Sequence, residues 1–401
     1  MVSESDYILT INTGSSSIKF AIYQLSESEE LYLRGMLNDI GSRESLFTVE
    51  DRSGKAIEQK QMVVSDHKQA FSIITEWLKN SCTNISIEVI GHRVVHGGEF
   101  YREPVLVDSS ILKDLEKLTV YDPLHMESEI NGIRLCQEIF PKAIHIACFD
   151  TAFHHTLPKV ASTLPLPKHF RESGIRRYGF HGLSYEYIQQ KLQTEISEKE
   201  GKGRLIIAHL GSGASLAALN HGVSLDTSMA FSSNSGIVMS TRSGDLDPGL
   251  VMYLQEVLGY SSTEIHSLLN QQSGLIGISE STGSMKELLE RKSKDPLSAL
   301  AVNIFCYNVK KFIGGYTAIL GGLDTLIFTG GIGEKSAPIR LQICEGLEVL
   351  GIHLNREANE LNKQKISDSE SRVVVRVIPT NEELMIARHA GFCRQLTTQK
   401  E

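Results

Sequence analysis

The sequence predicts an α/β chain built from two like halves. A strand–turn–strand segment rich in glycine and hydroxyl side chains occurs twice, about two hundred residues apart. Apolar runs of strand length alternate with stretches of helical spacing in both halves. The length, 401 residues, exceeds what one ordinary core holds, so two domains are expected.

Taken in order, Tyr7-Ile8-Leu9-Thr10-Ile11 is an apolar strand, Asn12-Thr13-Gly14-Ser15-Ser16-Ser17 a tight turn, and Ile18-Lys19-Phe20-Ala21-Ile22 the return strand of a hairpin. The acidic, serine-rich stretch 27–60, with a turn at Ser53-Gly54-Lys55, reads as surface. Residues 85–90 form a strand leading to His92-Arg93-Val94-Val95, and 144–149 another that ends on Asp150. Helical spacing covers 109–118 and 127–140, the second stopped by Pro141. Residues 151–180, with Pro158, Pro165 and Pro167, read as an irregular crossing to the second half. There Leu205-Ile206-Ile207-Ala208 runs into His209-Leu210-Gly211-Ser212-Gly213-Ala214-Ser215 and returns through 216–219, the second hairpin. Helices are expected at 247–259, 262–270 and 296–320. A strand at 325–328 meets Thr329-Gly330-Gly331-Ile332-Gly333-Glu334, and one at 373–378 meets a helix opened by Pro379-Thr380-Asn381-Glu382-Glu383.

Composition narrows the function. A formal net charge of −8 argues against nonspecific binding to nucleic acid or an anionic membrane. An anionic substrate must then be held by local cations and backbone donors. The six cysteines are scattered without a C-x-x-C pair, which fits a reducing cytoplasm and offers neither zinc site nor disulfide framework. The polar, acidic start at 1–6 is unlike a signal peptide, and no apolar run approaches a membrane span.

Turns of Gly, Ser and Thr present backbone N–H groups and hydroxyls that suit phosphate oxygens, so two of them suggest a polyphosphate held between the halves. That is the signature of a nucleotide-dependent phosphotransferase. Arg93 follows an apolar strand and needs an anionic partner, either a structural one such as Glu99 or a bound carboxylate or phosphate. Asp150, at a strand end, either faces a ligand crevice or caps the next turn. His181, between glycines, is a hydrogen-bond donor to a phosphoryl group or an ordinary surface histidine. His154, His155 and His181 match no zinc spacing. Asp247-Pro248 reads as a helix cap, which leaves Arg242 as the functional candidate of its loop. Thr380 and Glu383 fit a capping box, leaving Glu382 for the helix dipole or for Mg²⁺.

Together these segments resemble the acetate kinase family, which includes propionate and butyrate kinases. The resemblance runs from Ile11-Asn12-Thr13-Gly14 to Pro379-Thr380-Asn381-Glu382-Glu383-Leu384 and includes Gly91-His92-Arg93-Val94-Val95-His96-Gly97-Gly98, Phe149-Asp150-Thr151-Ala152-Phe153-His154, Tyr178-Gly179-Phe180-His181-Gly182 and Thr241-Arg242-Ser243-Gly244. It implies a duplicated RNase H-like fold of the actin, sugar-kinase and Hsp70 type. Two domains would flank a central cleft, with residues 1–150 plus about 383–401 in one and 151–382 in the other. It implies a cytoplasmic homodimer that phosphorylates a carboxyl group, acetate or propionate, from Mg-ATP and runs reversibly with ADP. Manganese can substitute for magnesium in such enzymes.

By the same resemblance, Arg93, Asp150, His181 and Arg242 are catalytic. Val95, Leu124, Phe180 and Ser233, with Arg93, bind the acid. Asn12 and Glu382 hold Mg²⁺. The nucleotide lies on Lys19, His209, Leu210, Gly211, Ser212 and Gly213, on Ser284, Met285 and Lys286, and on Gly331, Ile332, Gly333, Glu334 and Lys335. A same-fold sugar or polyol kinase and a non-catalytic nucleotide-binding protein are the competing readings, and the two arginines argue against the first.

Four departures from the family pattern matter. Phe231-Ser232-Ser233-Asn234-Ser235-Gly236 stands where the family has Phe-Thr-Pro-Leu-Glu-Gly, so Ser233 replaces a proline of the methyl pocket. Pro123-Leu124-His125-Met126-Glu127 replaces Pro-Leu-His-Asn-Pro beside the same pocket. Ser284-Met285-Lys286 replaces an Asp-x-Arg near the nucleotide, and Lys335 and Ser212 stand where asparagines are common. Acetate remains the expected acceptor, with propionate, or a hydroxylated acid held by Ser233 or Asn234, as the alternative. A hydrophobic pocket separates such acids by only about 1–3 kcal/mol per methylene.

Overall fold

The computed structural model describes residues 6–398 except 15, 27, 28 and 43, and the side chains of Leu124, Thr397 and Thr398 are also outside it. Ser15 of the first turn and the Leu124 side chain therefore lie outside the described residues. The chain forms two compact units, Met1–Phe153 with Asn381–Glu401, and His154–Thr380.

The first unit carries strands β1 (Asp6–Thr13), β2 (Ile18–Gln24), β3 (Leu31–Asn38), β4 (Ser45–Asp51), β5 (Ala56–Met62), β6 (Ser86–Val94), β7 (Val105–Leu106) and β8 (Ile144–Phe149). They form one sheet in the order β5-β4-β3-β2-β1-β6-β8-β7. The β1–β2 hairpin is antiparallel, with Asn12 opposite Lys19 and Thr13 opposite Ile18. β6 lies parallel to β1, and β8 parallel to β6. The stretch read as surface with hairpin-like turns forms three strands, of which β5 is exposed along most of its length. It places Leu33, Leu37, Phe47 and Val49 in the core at alternate positions while charged side chains face out.

The helix Pro123–Ile139 begins four residues earlier than its spacing suggested, with Pro123 in its first turn. The C-terminal helix Glu382–Thr398 buries Ile386, Ala387 and Ala390. It approaches β6 so closely that a Cβ on Gly91 would come within 2.5 Å of Ile386 Cγ2, so only glycine fits there.

The second unit carries β9 (Arg204–Leu210), β10 (Ala214–Asn220), β11 (Val223–Thr227), β12 (Thr325–Thr329) and β13 (Val374–Val377), in the order β11-β10-β9-β12-β13. β9–β10 and β10–β11 are antiparallel, whereas β9–β12 and β12–β13 are parallel. Strand for strand and sense for sense, this is the β3-β2-β1-β6-β8 portion of the first sheet. Duplication is thus visible in topology as well as in the repeated hairpin. No helix among the described residues is long and apolar enough to cross a membrane.

Candidate active site

In the first unit the chemistry collects at the C-terminal ends of β1, β6 and β8, where parallel strands present their ligands. Arg93 lies inside β6 rather than after it, because the strand continues through Gly91 and His92 to Val94. Its side chain is 11% exposed. Nε and Nη2 both donate to Oδ2 of Asp150, at 3.1 and 2.6 Å, and Nη1 donates to the Thr13 carbonyl at 3.2 Å. The partner is Asp150, not Glu99. Burial alone would lower the basicity of this guanidinium, but Asp150, Glu129 and Glu382 together raise it above its ordinary value. Asp150, fully buried, also donates its own backbone N–H to the Val94 carbonyl at 3.0 Å, which fixes it to the end of β6.

Asn12 is the penultimate residue of β1, beside Thr13. Its Nδ2 donates to Glu382 Oε2 at 2.9 Å and to Glu383 Oε1 at 3.1 Å. The expected capping box at Thr380 and Glu383 does not form. Asn381 caps the helix instead, its side chain accepting from Leu384 N at 3.0 Å, while Glu383 turns to Asn12. The resulting donor set is two carboxylates and a carboxamide oxygen, all hard. Among the described residues no group of three or more His, Cys, Asp or Glu is placed to hold a metal unaided. The hard oxygen set fits Mg²⁺, which binds through one or two carboxylates and completes its shell with water and phosphate oxygens.

In the second unit two histidines stack, His181 on His209, with ring centroids 4.3 Å apart. His181 takes a left-handed backbone conformation, φ 60°, immediately before the helix Gly182–Lys191. Its Nδ1 lies 2.8 Å from Ser215 Oγ, which lies 2.5 Å from the hydroxyl of the fully buried Tyr185. If the phenol donates to Ser215, the serine hydrogen turns onto Nδ1 and His181 keeps its proton on Nε2. His209 Nδ1 is held by Ser184 Oγ at 2.8 Å, which also meets Thr380 Oγ1 at 2.8 Å. A Cβ on Gly213 would lie 3.3 Å from His181 Nε2 and 3.5 Å from Arg242 Nη2. The turn glycine thus leaves a space on which an imidazole and a guanidinium converge. Arg242 is positioned by its Nη1, which donates to the Ser233 carbonyl at 2.8 Å.

The remaining expected residues fall as follows. Val95, Phe180 and Ser233 are buried. Lys19 is exposed on β2, across from Asn12. Leu210 is buried at the end of β9, and Gly211 and Ser212 form the turn. Ser284 caps the helix Met285–Arg291 by accepting from Glu287 N, Met285 is buried, and Lys286 is exposed. The glycine cluster after β12 forms a short helix, Gly330–Lys335, rather than an open turn. Its Gly331 and Lys335 are exposed, Ile332 is half-buried and Gly333 buried. Glu334 Oε1 accepts from Gly330 N and Thr380 N at 2.9 and 3.0 Å, which ties that helix to the end of the unit.

Sequence reading missed Glu129, Tyr185, Ser215, Ser184 and Arg340. Tyr185 stands one helical turn after His181, a spacing that could have revealed it. Arg340 is fully buried and, among the described residues, donates to uncharged oxygens, including the Gly333 and Glu334 carbonyls at 2.8 and 3.0 Å. No sequence signal marks it.

The repeated strand order with its mixed senses defines the duplicated RNase H-like class to which actin, the sugar kinases and Hsp70 belong. Within that class the chain belongs to the Acetokinase family, whose model matches residues 7–388. It is 42% identical over 393 residues to an acetate kinase of Methylocella silvestris, covering 95% of this chain and 96% of that one. An acetate kinase of Clostridium acetobutylicum is 40% identical over 391 residues, 95% and 97% of the two chains. Among solved structures, a propionate kinase from Francisella tularensis superposes with a TM-score of 0.88 at 36% identity, covering 96% of this chain and 98% of that one. Porphyromonas gingivalis acetate kinase does so at 0.84 and 32% identity, covering 97% and 100%.

Proposed function

We propose that this chain transfers the γ-phosphoryl group of Mg-ATP to a short-chain carboxylate, acetate foremost, and makes ATP from acyl phosphate and ADP in reverse. The observation that carries the mechanism is the convergence of His181 Nε2 and Arg242 Nη2 on the space over Gly213. A transferring phosphoryl group spreads charge over its equatorial oxygens, and catalysis consists of positioning and neutralising them. Arg242 and the Nε2–H of His181 supply those donors. A carboxylate oxygen attacks phosphorus, the new P–O bond forms as the β,γ-bridging bond breaks, and ADP leaves with the electron pair. The acceptor is already ionised at neutral pH, so no base has to remove a proton. Asp150 therefore acts by holding Arg93, which presents its outer face to the acid. Asn12 and Glu382, with Glu383 beside them, would hold Mg²⁺. When bound, the ion neutralises the β- and γ-phosphate oxygens.

A sugar or polyol kinase needs a base for a hydroxyl proton, whereas Asp150 is ion-paired with the arginine that would hold an anionic acceptor, an arrangement suited to a substrate that needs no base. The apolar helix Pro248–Glu256 has no buried residue and presents Leu250, Met252 and Tyr253 at 42–62% exposure, which favours a homodimer through this face. Six free thiols favour the cytoplasm.

The test is ADP release from Mg-ATP with acetate, propionate, butyrate, lactate and glycolate at matched concentrations, the acyl phosphate being trapped as its hydroxamate. Turnover led by acetate or propionate supports the proposal. Bound nucleotide without turnover on any acid would sink it.

A further inference from the structure

Glu129 is a carboxyl group for which the reaction above has no use, yet it lies against the acid-binding arginine. It projects from the helix Pro123–Ile139, and its side chain has no solvent exposure. Oε2 accepts the backbone N–H of Val95 at 2.8 Å. Oε1 stands 3.6 Å from Arg93 Nη1, beyond hydrogen-bond reach, and has no hydrogen-bond partner among the described residues. One guanidinium thus faces two buried carboxyl groups, and its short contacts go to Asp150.

The charge state of Glu129 follows from that division. Burial favours its neutral form. Arg93 and the Val95 N–H oppose burial, while Asp150 and Asp122 reinforce it, and the carboxyl is pushed up to about 8. Asp122 comes from the residue before the same helix and is bonded to His125 Nδ1 at 2.8 Å. His96 also faces Asp122, and burial holds that imidazole down at about 4. From the C-terminal helix, Glu382 acts on Arg93 itself.

We propose that Glu129 is a positioning residue for the acid substrate, its proton deciding whether Arg93 offers positive charge to an incoming carboxylate. With Glu129 neutral, Arg93 and Asp150 form a balanced pair and a substrate anion meets the free face of the guanidinium. With Glu129 ionised, two carboxylates outweigh one cation and a third is repelled. Reciprocally, binding the acid draws a proton onto Glu129. This rests on the carboxylate-kinase reading of the site.

The experiment is KM for acetate between pH 6.5 and 9.5, with KM for ATP measured alongside, in the wild type and in Glu129→Gln. Acetate is fully ionised across this range, so its own titration adds nothing. The glutamine oxygen still accepts the Val95 N–H, so a structural effect would shift KM by one factor at all pH values. The expected result is a wild-type acetate KM that rises roughly tenfold from pH 7 to 9, a nearly flat profile in the variant, and no parallel rise in KM for ATP. A flat wild-type profile overturns the proposal, as does the same slope in both proteins. If Glu129→Gln fails to fold by circular dichroism, Glu129→Asn is judged by the same slope. Absence of turnover with every acid would instead overturn the functional reading, and this proposal with it.

Discussion

Arg93 grips a single oxygen of Asp150 with two of its nitrogens, Nε at 3.1 Å and Nη2 at 2.6 Å. Both oxygens of a carboxylate are the usual target of such a fork. Here the fork closes on one of them, and Nη1 goes to Thr13 of the first hairpin. The arginine is therefore fixed by β1 and by the end of β8 at once.

Asp150→Asn keeps the shape and removes the charge. The expected outcome is a fall in kcat/KM for acetate of about 10²-fold, since breaking one side of a buried charged pair costs roughly 2–5 kcal/mol. KM for ATP should stay within about twofold of wild type, because Asp150 acts through its pairing with Arg93. Steady-state kinetics in both substrates decide this. Equal losses on acid and nucleotide would mean that Asp150 supports the unit as a whole and not the acid site.

Arg242→Ala should lower kcat by about 10³-fold, the scale of losing a donor that acts on the transferring group. Its Nη1 donates to the backbone carbonyl of Ser233 within the same loop region, and the far-ultraviolet spectrum is expected to stay that of the wild type. Added guanidinium ion should restore part of kcat, since the cavity left over Gly213 has room for it. A variant that keeps more than a tenth of wild-type kcat would remove Arg242 from the phosphoryl site.

The two hairpins were legible because a turn of Asn, Gly, Ser and Thr states its own conformation locally. Asp247-Pro248 was legible for the same reason, and Asp247 does accept from Gly249 N. Where side chains find distant partners, the local pattern misleads. Thr380-x-x-Glu383 has the letters of a capping box, yet Thr380 bonds Ser184 and Glu383 bonds Asn12. The stretch 27–60 looked like surface because its charges outnumber its core residues. The alternation of Leu33, Leu37, Phe47 and Val49 held the signal, diluted by the turns. Glu129 was invisible, because only the fold brings it to Arg93 and Val95.

The chain Tyr185–Ser215–His181 predicts an effect on the tautomer of His181 rather than on folding. In Tyr185→Phe, Ser215 loses its outer hydroxyl partner and can turn its hydrogen away from His181 Nδ1. The Nε2–H form is then less favoured, and kcat should fall about tenfold while KM for both substrates stays near wild type. Ser215→Ala should lower kcat further. An unchanged kcat in Tyr185→Phe would show that Tyr185 only fills space.

Thermal stability against pH should have a maximum near pH 6.5. Burial holds four histidines below their ordinary value of 6.5, His96 and His154 at about 4 and His92 and His145 also lowered. The unfolded chain takes up their protons first, so the stability they contribute is fully present above about 6.5 and is lost as pH falls toward 4. Glu129 runs the other way. Its folded value of about 8 lies above the ordinary 4.5, so its contribution is complete below 4.5 and is lost as pH rises to 8. Between 4.5 and 6.5 the histidines outnumber it and stability climbs with pH. Between 6.5 and 8, of these five groups it is Glu129 that titrates, and the melting temperature should decline by roughly 3–5 °C per pH unit, one proton's worth for a unit of this size. Calorimetry from pH 4.5 to 8.5 at constant ionic strength measures both limbs. Glu129→Gln should flatten the alkaline limb and leave the acid one in place, because the histidines are untouched. An alkaline limb of the same slope in that variant would assign it to another group.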